Sequence, residues 1–240
     1  MRVLSGELLL EAFDKGSTEH DLERALTMLA LAMPESSRQL LAERSIAERN
    51  LLLLQLREVT FGPAMSGLAR CPECSAHLEF AFDARTLIAL LQSQRGQRSV
   101  GWSECGRDYR LRAVNSDDLL ACLTSPDAEE AQHRLLTRCL SVSGESSHSA
   151  DPMFSPALIE NFDQLHGATE LSLSVECPEC SRSQLLDLDI GRFLWLEVRN
   201  AAQKLMNEIH ALAWAYGWSE SSIASMNSNR RNQYMEMLSA

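Results

Sequence analysis

Two copies of Cys-Pro-Glu-Cys, Cys71–Cys74 and Cys177–Cys180, constrain this chain more than any other feature. Two sulfurs reach one tetrahedral ion from a single tight turn when about two residues separate them, and two such turns face to face fill the shell and leave no position for a substrate. The spacing therefore predicts one structural zinc ion held by Cys71, Cys74, Cys177 and Cys180. Residues 75–176 lie between the pairs, so the ion would join distant stretches of chain. A redox reading needs a single pair in a thioredoxin-like βαβ setting, and the duplication argues against it. The odd total of seven cysteines leaves Cys105, Cys122 and Cys139 outside the motifs, and in a reducing compartment such usage favours metal binding over disulfides.

A chain of 240 residues, 45% hydrophobic, is long enough for a core of its own and does not need a metal merely to fold. Its formal charge of −11 would become two units more negative with four thiolates around one dication. Binding to a phosphate backbone draws on a basic face, whereas here the one adjacent arginine pair is Arg230–Arg231. A protein partner suits the acidic balance better than nucleic acid does. The N-terminal stretch has acidic residues among its apolar ones, unlike a secretory signal, and the longest leucine run is Leu51–Leu54. A cytoplasmic protein with no membrane segment is expected.

The fold expected is α+β and helix-rich. Helical spacing of Leu4, Leu8, Leu9 and Phe13, then of residues 21–33, then of a run capped by Ser36 or Ser37 and continuing to Leu56, makes residues 1–62 a helical region. Residues 63–190 form a small zinc-bearing antiparallel β-core, because apolar alternation at Leu78, Phe80 and Phe82, at Leu171, Leu173 and Val175, and at Leu186 and Leu188 places strands beside both knuckles. Within it, 84–168 is a central α/β insertion: a helix over 84–92, a hairpin over 98–115 turning near Gly106, helices over 117–123 and 126–140, a loop over 141–151, and a helix from Pro156 to Leu165. From residue 191 onward a long helix carries the stripe Leu194, Val198, Ala201, Leu205, Ile209, Leu212 and Tyr216, ends at Gly217, and is followed by a helical hairpin tail whose short helices start at Ser219 and Ser228.

Catalytic signatures are missing from the sequence. It has neither a phosphate loop, nor a Gly-x-Gly-x-x-Gly turn, nor a Gly-x-Ser-x-Gly elbow, and the chain reads as a non-enzyme. His77 lies three residues beyond Cys74, yet four thiolates already close the shell, so a surface or supporting role is favoured; His20, His133, His148, His166 and His210 have no partner at a recognisable spacing. The tail could imitate a helix-turn-helix with Asn229, Arg230 and Arg231 facing DNA, which would make the chain a zinc-ribbon nucleic-acid regulator. Packing of Trp214, Trp218, Met226, Tyr234 and Leu238 against the long helix, or a protein-docking surface, is favoured instead.

The run His210-Ala-Leu-Ala-Trp-Ala-Tyr-Gly-Trp-Ser-Glu-Ser-Ser-Ile, followed by Arg230-Arg231 and Tyr234-Met-Glu-Met-Leu, resembles the C-terminal signature of the T4-like baseplate protein family of contractile phages, prophages and phage-tail-like injection systems. Leu56-Arg-Glu-Val-Thr-Phe-Gly-Pro ahead of the first knuckle, and Asp189-Ile-Gly-Arg-Phe-Leu-Trp after the second, look like that family's two halves. The resemblance spans residues 38–240. It implies a non-enzymatic structural or assembly component of a contractile-tail baseplate, with other baseplate, hub or spike proteins as partners, built in the cytoplasm and either kept in the particle or released from it. Aromatic and arginine side chains dominate interface energetics, which makes Trp214, Tyr216, Trp218, Arg230, Arg231 and Tyr234 the candidate contact residues.

Overall fold

Side-chain caps start α2, α3, α4, α6, α7, α8, α9 and α10, and they set where the chain turns. In the computed structural model, which describes residues 1–93, 98–104, 106–143, 155–167, 169 and 171–239, α1 (Glu7–Gly16) and α2 (Asp21–Ala32) lead into a short α3 (Arg38–Ala42) and then α4 (Ile46–Phe61). The single helix expected to run to Leu56 is thus two. Ser45 accepts the Glu48 amide, and Glu48 reaches back to the Ser45 amide, a capping box that restarts the helix. Ser37 caps α3 through the Leu40 amide.

Two hairpins follow the same plan. In the first, β1 (Ala64–Arg70) pairs with β2 (His77–Asp83); in the second, β6 (Ser172–Glu176) pairs with β7 (Ser183–Asp187), both antiparallel. They were expected to form one β-core, but each pairs only within itself. The first hairpin runs into α5 (Ala84–Ser93), and the second runs into the 27-residue α9 (Ile190–Tyr216).

Between them lie β3 (Ser99–Glu104) and β4 (Arg107–Arg112), then α6 (Ser116–Cys122) and α7 (Ala128–Cys139), then β5 (Leu140–Ser143) and α8 (Pro156–His166). Strands order as β3-β4-β5, with Leu111 opposite Leu140 and Arg110 opposite Ser141. The strand β5 corrects the expectation of helix to Leu140 and loop beyond it: Leu140 leaves the helix in an extended conformation because β4 offers a free edge. The rest of the expected loop, 144–151, and the near-turn Cys105 lie outside the described residues.

Two apolar cores result. The larger joins α1, α2, α4, α5 and α9, with Leu26, Leu29, Leu53, Leu54, Leu56, Leu194, Val198 and Leu212 fully enclosed. Ala84, Leu87, Ile88 and Leu91 of α5 face this core rather than the central segment. The stripe on α9 is as expected at Leu194, Val198, Leu205, Ile209 and Leu212, while Ala202 is buried in place of Ala201 and Tyr216 emerges to solvent. The smaller core gathers Leu111, Val114, Leu136, Cys139 and Leu158. His166 closes it as a neutral ring: its Nε2 accepts the Val114 amide at 2.9 Å, its Nδ1 donates to the Phe162 carbonyl at 2.8 Å, and burial lowers its pKa.

After α9, Gly217 adopts φ 67° and ψ 20°, the left-handed cap that only glycine takes without cost. The short α10 (Glu220–Ala224) and α11 (Ser228–Ser239) both pack on α9. Ser219 caps α10 as expected, but α11 is capped by Asn227, whose Oδ1 accepts the Arg230 amide at 2.8 Å, rather than by Ser228. No helix of the described residues is long and apolar enough to cross a membrane.

Candidate metal centre

Each hairpin turns through the same five residues, Cys-Pro-Glu-Cys-Ser, and the two turns share their backbone. The amide of the first cysteine bonds two residues past the second: Cys71 to the Ala76 carbonyl at 2.9 Å, Cys177 to the Arg182 carbonyl at 3.0 Å. The carbonyl of that first cysteine accepts the serine amide, from Ser75 at 2.8 Å and from Ser181 at 2.9 Å. Both serines sit at positive φ, 61° and 54°, a region that L-residues enter rarely and that costs roughly 1–2 kcal/mol. The same left-handed serine recurs at the same position in both turns.

The turns meet tip to tip. Cys71, Cys74, Cys177 and Cys180 bring their sulfurs within 4.8 Å of one another, and this four-cysteine cluster could hold a metal ion. Cross-hairpin separations are 3.7 Å for Cys71–Cys180 and 3.6 Å for Cys74–Cys177, far longer than a disulfide bond of about 2.05 Å, and all four are free thiols. Cys71 and Cys177 are buried, Cys180 is half-buried and Cys74 is exposed.

Backbone amides point at the sulfurs. The Cys74 and Glu73 amides, helped by the neighbouring thiols, hold Cys71 down to about 7. At Cys74 the Ala76 amide acts in the same direction, yet desolvation and the hydrogen bonds with Cys177, Cys71 and Cys180 push the thiol up to about 12. Cys180 is raised in the same way against the pull of the Arg182 amide. Four sulfurs this close share protons among themselves unless a cation neutralises them, and a thiolate is the form that ligates metal.

Two contacts across the hairpins steady the cluster, and neither has a signal in the sequence. The Gln184 side-chain amide donates to the Cys71 sulfur at 3.1 Å, and Arg182 pairs with Glu73 at 3.0 Å. The hairpin roots sit on the large core through Met65 and Phe82 on one side and Leu171, Leu173 and Leu188 on the other. His77 is exposed at the start of β2 and is not part of the cluster.

No family model, curated protein or solved structure matches this chain.

The C-terminal candidates divide into three kinds. Trp214 is 88% exposed on α9. Tyr216, Trp218 and Tyr234 stack on one another, with Tyr216 and Trp218 centroids 4.7 Å apart and Tyr234 meeting Trp218 edge-on at 4.9 Å. Arg230 is exposed, whereas Arg231 is buried: it donates to Glu208 of α9 at 2.8 Å and to the Met226 carbonyl, fastening α11 down. The packing expected of Trp214 and Leu238 is replaced by exposure, while Trp218, Met226 and Tyr234 are half-buried.

Among the described residues, Cys122, Cys139 and His20 have local partners. The Cys122 thiol donates to the Ala131 carbonyl at 3.4 Å. The Cys139 thiol donates to Asp118 at 3.5 Å, and burial with that nearby carboxylate raises it to about 12, so it stays protonated. His20 caps α2 through its Nδ1; His133 and His210 are exposed; His148 lies outside the described residues.

Proposed function

We propose that the four-cysteine cluster binds one structural zinc ion, and that the chain is a non-enzymatic component or assembly factor of a contractile-tail baseplate whose rigid frame docks other baseplate, hub or spike proteins. The observation that carries the zinc reading is the sulfur spacing. An ion at the centre of a tetrahedron with Zn–S bonds of about 2.3 Å keeps its sulfurs about 3.8 Å apart, against 3.7 and 3.6 Å across the hairpins. An all-thiolate tetrahedron suits zinc, its four protein ligands leave no site for a substrate, and the ion therefore acts as a staple. The baseplate reading is supported by the resemblance of the knuckles and the Tyr216-Gly-Trp-Ser-Glu tail to that family, and by the exposed Trp214 near the end of α9. A frame held rigid before binding lowers the ordering cost of docking.

Co-expression with the tube, hub and spike proteins of a contractile particle tests it. Co-purification with one of them, weakened by Trp214→Ala, is the expected result. Tight DNA binding at low salt with no such co-purification would overturn the baseplate reading in favour of a nucleic-acid regulator.

A further inference from the structure

A strongly basic concavity of this acidic protein lies away from both the cysteine cluster and the C-terminal helices. A cleft of about 710 Å³ opens between the α3–α4 junction and the polar face of the β3-β4-β5 sheet. Five arginines line it, Arg44, Arg98, Arg110, Arg112 and Arg138, against two glutamates, Glu43 and Glu48. The sheet is two-faced by register. Val100, Trp102 and Leu111 pack in the small core, and Tyr109 is buried against Trp102 on the same face, which turns Arg110 and Arg112 to the cleft.

The carboxylates at hand do not use up this charge. Asp118, fully buried beneath the cleft, holds both Arg112, at 2.6 and 2.8 Å, and Arg138, at 2.8 Å. One carboxylate between two guanidinium groups leaves a surplus charge there, and the Arg112 and Arg138 side chains are still 39% and 41% exposed. Glu48 engages Arg98 at 2.5 Å. Arg110 has the Ser99 hydroxyl at 3.4 Å as its hydrogen-bond acceptor. The Nε of Arg44 is sealed from solvent with no acceptor among the described residues. Arginine presents a fork that suits a carboxylate, and donors left over after an internal pair remain free for a ligand.

We infer that this cleft seats an acidic peptide segment of a partner protein, with its carboxylates on Arg44, Arg110 and the outer edge of Arg138, and an apolar side chain against Leu40. Leu40 is 58% exposed at the rim of the cleft. A nucleic acid fits less well: among the described residues no aromatic ring lines the cleft to stack a base, and a chain of net charge −11 repels an extended polyanion beyond the cleft. The inference stands on the cleft alone and needs neither the metal nor the C-terminal surface.

Fluorescence polarisation with a short labelled peptide of repeating Glu-Leu-Asp tests it on the full chain. Saturable binding that weakens as salt rises is expected, with a loss of about tenfold or more in Arg110→Glu, a smaller loss in Arg44→Ala, and no change in Trp214→Ala. Arg110 is exposed, so the Glu variant keeps the wild-type melting temperature, and its loss of binding is not unfolding. Absence of saturable binding, insensitivity to Arg110→Glu, or displacement of the peptide by a single-stranded oligonucleotide that binds more tightly would each overturn the inference. If the baseplate co-purification fails while the peptide still binds, the cleft survives that loss.

Discussion

Arg57 on α4 and Glu197 on α9 grip each other through two parallel hydrogen bonds of 2.9 and 2.7 Å, across 140 positions of sequence. Arg57 also donates to the Gly62 carbonyl, at the point where the chain enters the first hairpin, and Glu197 stands two turns into the helix that follows the second. This pair therefore clamps the roots of the same two hairpins whose tips meet at the cysteines. Arg57 is almost fully enclosed, and removing its partner strands a buried charge.

Glu197→Gln is therefore expected to cost about 3 kcal/mol. Replacing both by Met should cost less than the single change, because no orphan charge is left. Urea unfolding of the two variants checks this; a double variant no better than the single one would show that the pair itself, not the stranded charge, dominates.

Removing the proposed zinc ion should loosen the hairpin tips while sparing the helices, because the cysteine cluster is separate from the large core. Metal analysis should give one zinc ion per chain in the wild type and a loss in Cys177→Ser. Circular dichroism after chelation should keep its helical signal while the unfolding midpoint falls. Collapse of helicity on chelation would contradict the separation of the two.

Ser75 and Ser181 carry the strain of the knuckles, so a β-branched residue there is more costly than the serine. Ser181→Val should weaken metal retention and cost about 1–2 kcal/mol, while Ser181→Asn stays close to wild type. Competition with a chromogenic chelator reads both.

Asp118 gives the protein an acid limit. Burial works to raise its pKa, but Arg112, the Asn115 amide and Arg138 outweigh it and hold the carboxyl down to about 2, from an ordinary 3.8. The folded value lies below the unfolded one, so the unfolded chain takes up the proton first. The associated stability, about 2 kcal/mol, is complete above pH ~4 and is lost as the pH falls from about 4 through 2. Asp118→Asn should flatten the fall in stability over that window, measured by denaturant titration at each pH, while lowering stability at neutral pH by leaving two arginines unpaired.

The parts legible in the sequence are those set by short-range spacing. Two identical turns beside alternating strands located the cysteine cluster, and one apolar stripe located α9. The break at Glu43–Ser45 was also written locally, as Ser45-Ile-Ala-Glu48, but the apolar pattern runs straight through it and conceals the capping box. What stayed hidden depends on partners far along the chain. β5 is a short serine-containing stretch that becomes a strand because Arg110 and Leu111 lie opposite it. Arg231 reads as a surface arginine until Glu208 is placed beneath it. The arginines of the cleft are scattered from position 44 to position 138 and converge only once the sheet is folded against α3 and α4.

The double fastening of the hairpins, at their tips by cysteines and at their roots by Arg57 and Glu197, has an evolutionary side. The stretch of chain between the fastenings is a closed loop whose ends are held from outside it. Closing a loop twice as long costs only about 0.6 kcal/mol more. The segment that carries the small core and one wall of the arginine cleft can thus lengthen, shorten or be exchanged with little penalty to the helical frame. Recognition can drift from one partner to another while the clasp that holds the frame stays as it is.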